Sequence, residues 1–427
     1  MNILEANKIH CIGIGGAGVS ALAGLLVGLG KEVTGTEDNE SPRTLNPLKK
    51  KGVSVISEKD KLPEADAFVY SDAWLTNHPE VLEEAKKRGV PVYSYFEALG
   101  EVSKKYKTIA IAGTHGKTTT TAMLARMLKN INPTVIVGSI MRDTDTNVLI
   151  GESEYLLVEA CEYNDHFLHL SPTILAITNI ELDHIDYFKD IDQLVGSYKK
   201  LVEKLPEDGA LILNKAGKYE QALSEHAKCK VIDYAEVEAP TLLIPGEFNI
   251  ENAKTAMATA IAVEGENESH KEGLESFPGT WRRFEFKGKT NEGALVYDDY
   301  AHHPTAIEKT VAAVKKHFPS KEIVVAFHPH LYSRTRDFMD GFAESLALAD
   351  KVYVAPIFAA REEFDGVTTN KALVEKINEV GGCAETIDGK EGLQSVVEEC
   401  GKDTVLFTMG AGDIYTWVPE YVSVNFS

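Results

Sequence analysis

Short runs of β-branched and aliphatic residues recur along this 427-residue chain. Each is followed by a glycine-rich or polar turn, then by a segment of roughly ten to fifteen residues whose apolar positions fall at helical spacing. That alternation is the pattern of parallel sheets flanked by helices, so the chain reads as α/β. Three blocks can be separated. In the first, residues 9–14 are predicted as a strand, and the helix after it places Val19, Leu22, Leu25, Leu26 and Leu29 on one face. Residues 67–70 and 90–93 add strands, and the charged stretch 101–107 is predicted to be the linker that closes the block. The second block opens with a strand over 108–112, a glycine turn and a helix beginning near Lys117. Further strands are predicted at 155–159, 174–178 and 210–213, with a helix from Asn249 to about Val263. The third block is the most regular, with strands at 294–297, 323–327, 351–355 and 404–409 and helices at 305–318 and 335–348. No short fixed-period repeat is present.

The length favours two or three domains over a single core. With 44% apolar and 26% charged residues, the composition is that of a globular protein. The longest apolar stretch, 19–29, is interrupted by Gly24 and Gly28 and is too short to span a bilayer. The polar start of the chain carries no basic segment followed by a cleavage site, so a cytoplasmic protein without a membrane partner is expected. The five cysteines are scattered without zinc-site spacing, as expected of reduced thiols. A net charge of −21 argues against a nucleic-acid partner, because such affinity comes largely from Lys and Arg. It does not exclude a small anion held by local backbone N–H groups, a few cations and Mg²⁺.

The strongest local signal for such an anion is Gly113-Thr114-His115-Gly116-Lys117-Thr118-Thr119, directly after an apolar strand and directly before a helix. Small residues let backbone N–H groups approach phosphates, the helix N-terminus favours the anion, Lys117 reaches the outer phosphates, and Thr118 can ligate Mg²⁺. A second glycine turn, Gly13-Ile14-Gly15-Gly16-Ala17-Gly18, follows the first predicted strand, with Asp38 some twenty residues on. Taken alone, it suits a dinucleotide and hence an oxidoreductase, but it equally suits any pyrophosphate-bearing ligand, including a UDP-sugar. Glu159 and His184 stand at or after predicted strand ends downstream of the Lys117 loop, where side chains face the ligand crevice of a parallel sheet. In the third block, Asp298-Asp299-Tyr300-Ala301-His302-His303 and His328-Pro329-His330 through Arg334 and Arg336 concentrate charge after strands. Arg and His in that setting are expected to hold carboxylates or phosphate.

The strings IHCIGIGGAGVSALA, GTHGKTTT, EACEYNDHFLHLSP, TNIELDHIDYF, Arg282-Arg283-Phe284, DDYAHHPTAI, FHPHLYSRTRD and MGAGDIY span the chain from end to end. Together they resemble the Mur ligases. The EACEY and FLHLSP strings are more similar to members that add L-alanine than to the murein peptide ligases, which join a preformed peptide to the same sugar and remain the alternative. The resemblance implies three domains. A Rossmann-like N-terminal domain (1–104) would bind the UDP-sugar, a P-loop ATPase domain with a parallel sheet (105–281) would bind ATP, and a Rossmann-like C-terminal domain (282–427) would bind the amino acid. It implies ATP and Mg²⁺ as cofactors, UDP-N-acetylmuramate and L-alanine as substrates, and a monomer or weak homodimer. Gly13, Gly15, Gly16, Ala17, Gly18, Asp38 and Ser71 would then serve the UDP-sugar. Gly113 through Thr119, with Asn249 and Asn252, would serve ATP. Thr118, Glu159 and His184 would organise the metal, and Arg282 or Arg283 would support the transferred phosphoryl group. Asp299, His302, His330, Arg334 and Arg336 would hold the sugar-linked carboxylate and the amino acid. The implied reaction activates the carboxylate as an acyl phosphate before the amine attacks. On this reading Lys117→Ala abolishes turnover and leaves the fold intact.

Overall fold

The computed structural model describes residues 2–38, 43–185, 187–360, 362–418 and 422. Three sheets follow one another along the chain. The first contains β1 (Lys8–Ile12), β2 (Glu32–Glu37), β3 (Ser54–Ser57), β4 (Ala67–Tyr70) and β5 (Val92–Ser94), in the order β3-β2-β1-β4-β5 with every neighbouring pair parallel. The second contains β6 (Lys107–Ala112), β7 (Thr134–Met141), β8 (Thr146–Leu149), β9 (Tyr155–Glu159), β10 (Pro172–Ile177), β11 (Ala210–Leu213) and β12 (Lys230–Asp233). Its order is β12-β11-β10-β6-β9-β7-β8, and only the β7/β8 pair is antiparallel. The third contains β13 (Glu285–Lys289), β14 (Leu295–Asp299), β15 (Glu322–Phe327), β16 (Lys351–Val354), β17 (Ala384–Thr386) and β18 (Thr404–Met409), in the order β13-β14-β18-β15-β16-β17 with β13 antiparallel. The chain thus has the three-part, mainly parallel α/β architecture that its periodicity predicts.

The strand order decides where ligands can sit. In an open parallel sheet the crevice lies beyond the carboxyl ends of the strands, where the order reverses. In the first sheet that point is the end of β1, flanked by β2 and β4, which is where Gly13 begins. In the second it is the end of β6, flanked by β9 and β10. Residues 113–116, 159–162 and 178–184 therefore emerge side by side.

The residues form two compact units, one from Met1–Leu243 with Ile250–Thr280 and one from Ile244–Asn249 with Trp281–Ser427. In the first, one apolar cluster runs from Ile3 to Leu223 and serves both the first and second sheets. The helix Ala17–Gly28 explains the sharing. Val19, Leu22, Leu25 and Leu26 are buried as the spacing predicts, but so are Ala21 and Ala23, because the helix is covered on a second side by the β7/β8 hairpin. Asn147 Nδ2 donates to the carbonyl of Ala17 at 2.7 Å and to Ser20 Oγ at 3.0 Å. Leu29, expected on the apolar face, follows the last helical residue and is exposed. In the second unit, alternation along β15 sends Ile323, Val325 and Phe327 into one cluster and Val324 and Ala326 into another, so both faces of the sheet are covered.

Two other expectations change. Much of the charged stretch 101–107 is not a linker: the helix Tyr95–Ser103 runs into it, with Val102 and Ser103 fully buried, and Ser103 accepts from Thr108 Oγ1. A Ser94/Glu97 capping box starts that helix. The helix expected over 335–348 is two, Tyr332–Asp337 and Met339–Leu346, broken at Phe338, whose φ of −110° is not helical.

Candidate active site

The helix Lys117–Met127 begins with Lys117 and four consecutive threonines, a poor helix-forming run because β-branched side chains lose rotamer freedom. Tertiary contacts hold it: all four threonines are buried, and Thr121 Oγ1 donates back to the Lys117 carbonyl at 2.8 Å. Gly116 caps the helix at φ +86°, and a Cβ there would stand 2.1 Å from Asn252 Oδ1. Gly113, at φ +127°, is equally constrained, since a Cβ would meet Thr178 Oγ1 at 2.0 Å. Only glycine fits either position.

The segment after β10 grips the loop. The Thr114 N–H donates to the Asn179 carbonyl at 3.0 Å and the His115 N–H to Asn179 Oδ1 at 3.0 Å. In return Asn179 Nδ2 and Thr178 Oγ1 donate to the His115 carbonyl. Thr114 Oγ1 donates to the Glu181 carbonyl, and the His115 ring pairs with Glu181 at 3.2 Å. The amides of Thr114 and His115 are thus committed to the protein. The first N–H groups of the helix have no intrahelical acceptor, which is the kind of helix entry that can bind an anion.

Beside them stands a compact charged cluster. Thr118 Oγ1 donates to Glu159 Oε2 at 3.1 Å, and the Gly138 N–H donates to the other oxygen of that carboxylate. Lys117 Nζ lies 2.8 and 3.0 Å from the two oxygens of Glu162, which is 1% exposed. Burial alone pushes a lysine down, but the Glu162 carboxylate leads the groups that leave the Lys117 ammonium raised. His184, at φ +53°, has Nε2 4.0 Å from Glu162 Oε1 and its ring 4.8 Å from that of Tyr163. Burial and the Glu162 charge push the Cys161 thiol up to about 12. Among the described residues, no group of three His, Cys, Asp or Glu could hold a metal ion by itself. Magnesium typically retains waters and binds one or two carboxylates together with substrate phosphates, so the adjacent Thr118 hydroxyl and Glu159 carboxylate fit its needs.

The first sheet contributes a cleft of about 260 Å³ lined by Gly16, Ala17, Gly18, Ser71, Tyr95 and Phe96 and, from the second sheet's side, by Cys161, Tyr163 and His166. Gly13 is at φ +73°, with Trp74 and Ser71 packed where a Cβ would be. Glu37, at the end of β2, accepts the Gly15 N–H. Asp38 points elsewhere and pairs with His78 at 2.9 Å. His166 stacks on Phe96 with ring centroids 3.7 Å apart and pairs with Asp72 at 2.9 Å.

In the second unit the carboxyl ends of β14, β15 and β18 gather the remaining candidates. Arg282 is 3% exposed and fully engaged: Nε donates to Asp298 at 2.8 Å, and the two terminal nitrogens donate to the carbonyls of Gly412 and Gly410. Arg283 is half-buried over the Tyr300 ring at 5.0 Å. The Asp299 carboxylate accepts from the Phe284 and Ala301 N–H groups, so it shapes the chain, and burial raises it. His302 Nδ1 lies 2.8 Å from the Tyr300 carbonyl, and the His330 ring stacks on Phe358. Arg334 is half-buried, while Arg336 is exposed and pairs with Asp337 and Asp365.

Family models agree with this three-part layout. The "Mur ligase family, catalytic domain" matches residues 8–107, the "Mur ligase middle domain" 111–241, and the "Mur ligase, glutamate ligase domain" 282–412. A protein named UDP-N-acetylmuramate–L-alanine ligase from Clostridium botulinum (strain Loch Maree / Type A3) is 36% identical, and the alignment covers 99% of each chain. The chain belongs to the Mur ligase family. A relative of the same name from Caldicellulosiruptor saccharolyticus is 37% identical over 96% of each chain. The crystal structure of the UDP-N-acetylmuramate-alanine ligase MurC from Thermotoga maritima superposes with a TM-score of 0.80 at 27% identity, covering 97% of this chain and 98% of that one.

Within this Mur ligase the structure brings Gly113 through Thr119, Glu159 and His184 to one edge, with Asn252 against Gly116. Asn249 lies on the same helix as Asn252 (Glu247–Glu264) and donates to the Pro245 carbonyl at 2.6 Å. Arg282 and Asp299 act through backbone and side-chain anchoring, and Arg336 lies on the surface. Sequence reasoning did not single out Glu162, Asn179, Glu37 or His166. For the first two a signal existed: Glu162 is three residues past Glu159, and Asn179 follows the strand beside β6, so both were due at the same crevice.

Proposed function

We propose that this Mur ligase uses ATP to join L-alanine to the carboxylate of UDP-N-acetylmuramate, in peptidoglycan precursor synthesis in the cytoplasm. The observation that carries the reading is the Lys117–Thr118 helix entry at the carboxyl edge of β6, with Thr118 against Glu159 and Lys117 beside Glu162. The near full-length relatives, named for this activity, support the substrate assignment. Residues 1–104 would take the UDP-sugar along the cleft over Gly16 and Ser71, residues 105–281 the nucleotide, and residues 282–427 the amino acid.

A carboxylate is a poor electrophile, so the γ-phosphoryl group of ATP is first transferred to it. The amine of L-alanine then attacks the acyl phosphate, and phosphate leaves as the amide forms. Lys117 and the helix N-terminus hold the outer phosphates in line, which is most of what a phosphoryl transfer asks of a protein. Thr118 and Glu159, with His184 adjacent, would hold Mg²⁺, which supplies neutralisation of the developing phosphate charge. Arg283, rather than the fully engaged Arg282, would support the transferred group, and His302, His330 and Arg334 would receive carboxylates. A monomer or weak homodimer suffices for this assembly. Among the described residues, no helix is long and apolar enough to cross a membrane.

The test is phosphate release by purified protein with ATP, UDP-N-acetylmuramate and either L-alanine or a preformed tripeptide. Release with L-alanine alone among these acceptors supports the reading. Release with the tripeptide alone transfers the chain to the murein peptide ligases.

A further inference from the structure

The segment Glu159 to Glu162 carries two carboxylates, and the reaction above employs the first. The second is the more deeply buried. Glu162 is 1% exposed, and both its oxygens accept from Lys117 Nζ. The same ammonium donates to the Gly113 carbonyl and lies 3.3 Å from that of Thr114. An ammonium has three hydrogens, and four acceptors surround this one. The protein alone therefore saturates Lys117, and a phosphate oxygen can gain it only by displacing a partner.

Glu162 is the partner that a phosphate replaces, because exchanging one anion for another keeps a charge-assisted bond on the ammonium. The exchange leaves a carboxylate that is 1% exposed without its ammonium, so the pair re-forms once the phosphate departs.

We propose that Glu162 is a positioning residue that works as a release latch: it holds the Lys117 ammonium when the loop carries no nucleotide, yields it to the outer phosphates on binding, and takes it back as products leave. The proposal rests on reading residues 113–119 as the ATP loop. A competing buried carboxylate weakens ATP and ADP alike, which sacrifices uniform binding and speeds product departure, often the slow step of an enzyme.

Binding of ADP with Mg²⁺, followed by calorimetry, tests this on the full chain. Glu162→Gln keeps the shape and removes the charge, and is expected to bind ADP about tenfold more tightly, release it more slowly in stopped flow and turn over less. Glu162→Asp is expected to restore wild-type affinity. Unchanged or weaker ADP binding by folded Glu162→Gln overturns the latch and leaves the loop assignment standing. No ADP binding by the wild-type protein overturns both. Should Glu162→Gln fail to fold, wild-type crystals grown with ADP decide. Lys117 Nζ bonded to phosphate and farther than about 3.5 Å from Glu162 supports the latch, and an ammonium still seated on Glu162 overturns it.

Discussion

Thr118 Oγ1 and Glu159 Oε2 lie 3.1 Å apart, joining the first turn of the helix after β6 to the end of β9. Neither residue is near the other in sequence. The parallel pairing of β6 with β9, Ile111 opposite Glu159, sets the distance. Two hard oxygens are thereby held at the entrance of a helix whose N–H groups face outward.

This pair predicts a metal phenotype separable from turnover. Thr118→Val and Glu159→Gln are each expected to weaken divalent-ion binding in the presence of ADP by roughly 10- to 100-fold, with Thr118→Ser close to wild type. Titration with Mn²⁺ followed by electron paramagnetic resonance checks it, and equal affinity in Thr118→Val contradicts it.

The adjacent arginines are predicted to fail in different ways. Arg282 is bonded to buried Asp298, so Arg282→Ala leaves an unpaired buried charge and is expected to cost about 3–5 kcal/mol of stability. Arg283→Ala is expected to unfold at the wild-type midpoint but lose roughly 10²–10³-fold in kcat. Urea midpoints and steady-state kinetics on both variants separate the roles.

Lys117 and Glu162 are predicted to be coupled in stability. The sequence suggests that Lys117→Ala spares the fold, but the structure adds a cost, because the variant strands a carboxylate that is 1% exposed. Lys117→Met combined with Glu162→Gln is expected to be more stable than the sum of the single changes allows, by about 1–3 kcal/mol. A double-mutant cycle in urea measures it, and additivity contradicts it.

Two buried imidazoles predict the pH profile. Burial pushes His10, bonded to Thr34 and Thr36 across β1 and β2, down to about 4, and pushes His328 to about 4 as well. Both are neutral in the folded protein, while the unfolded chain takes up protons near the ordinary value of 6.5. Their stabilisation is complete above that value and is lost as pH falls from there toward 4, by up to about 3 kcal/mol each. Urea midpoints between pH 7 and 4.5 should fall, and His10→Asn should fall less steeply.

Much of this was legible in the chain, for reasons that differ by residue. β1, β4, β6, β9, β15 and β18 are buried apolar runs ending at turns, and such runs announce themselves. The loop at Gly113 was legible because strand, glycine, lysine and helix coincide. What sequence could not give was pairing. Nothing in Arg282-Arg283 tells which guanidinium turns inward to Asp298 and the Gly410 and Gly412 carbonyls. Nothing near Lys117 shows that Glu162, 45 residues on, takes its ammonium. The helix Ala17–Gly28 reads as one-sided because its second partner, the β7/β8 hairpin, lies more than a hundred residues away. Asp38 fits the acidic position of a glycine-turn fingerprint, and only the register of β2 reveals that Glu37 faces Gly15.

The central claim is that the Lys117 loop spends ATP on a sugar-linked carboxylate for L-alanine. Phosphate release by the wild-type protein, scanned over the amino acids with and without UDP-N-acetylmuramate, tests it most directly. The account predicts release that requires ATP, the UDP-sugar and the amino acid together, with L-alanine among the best acceptors. Release that proceeds equally without the UDP-sugar, or none with any amino acid, would contradict it.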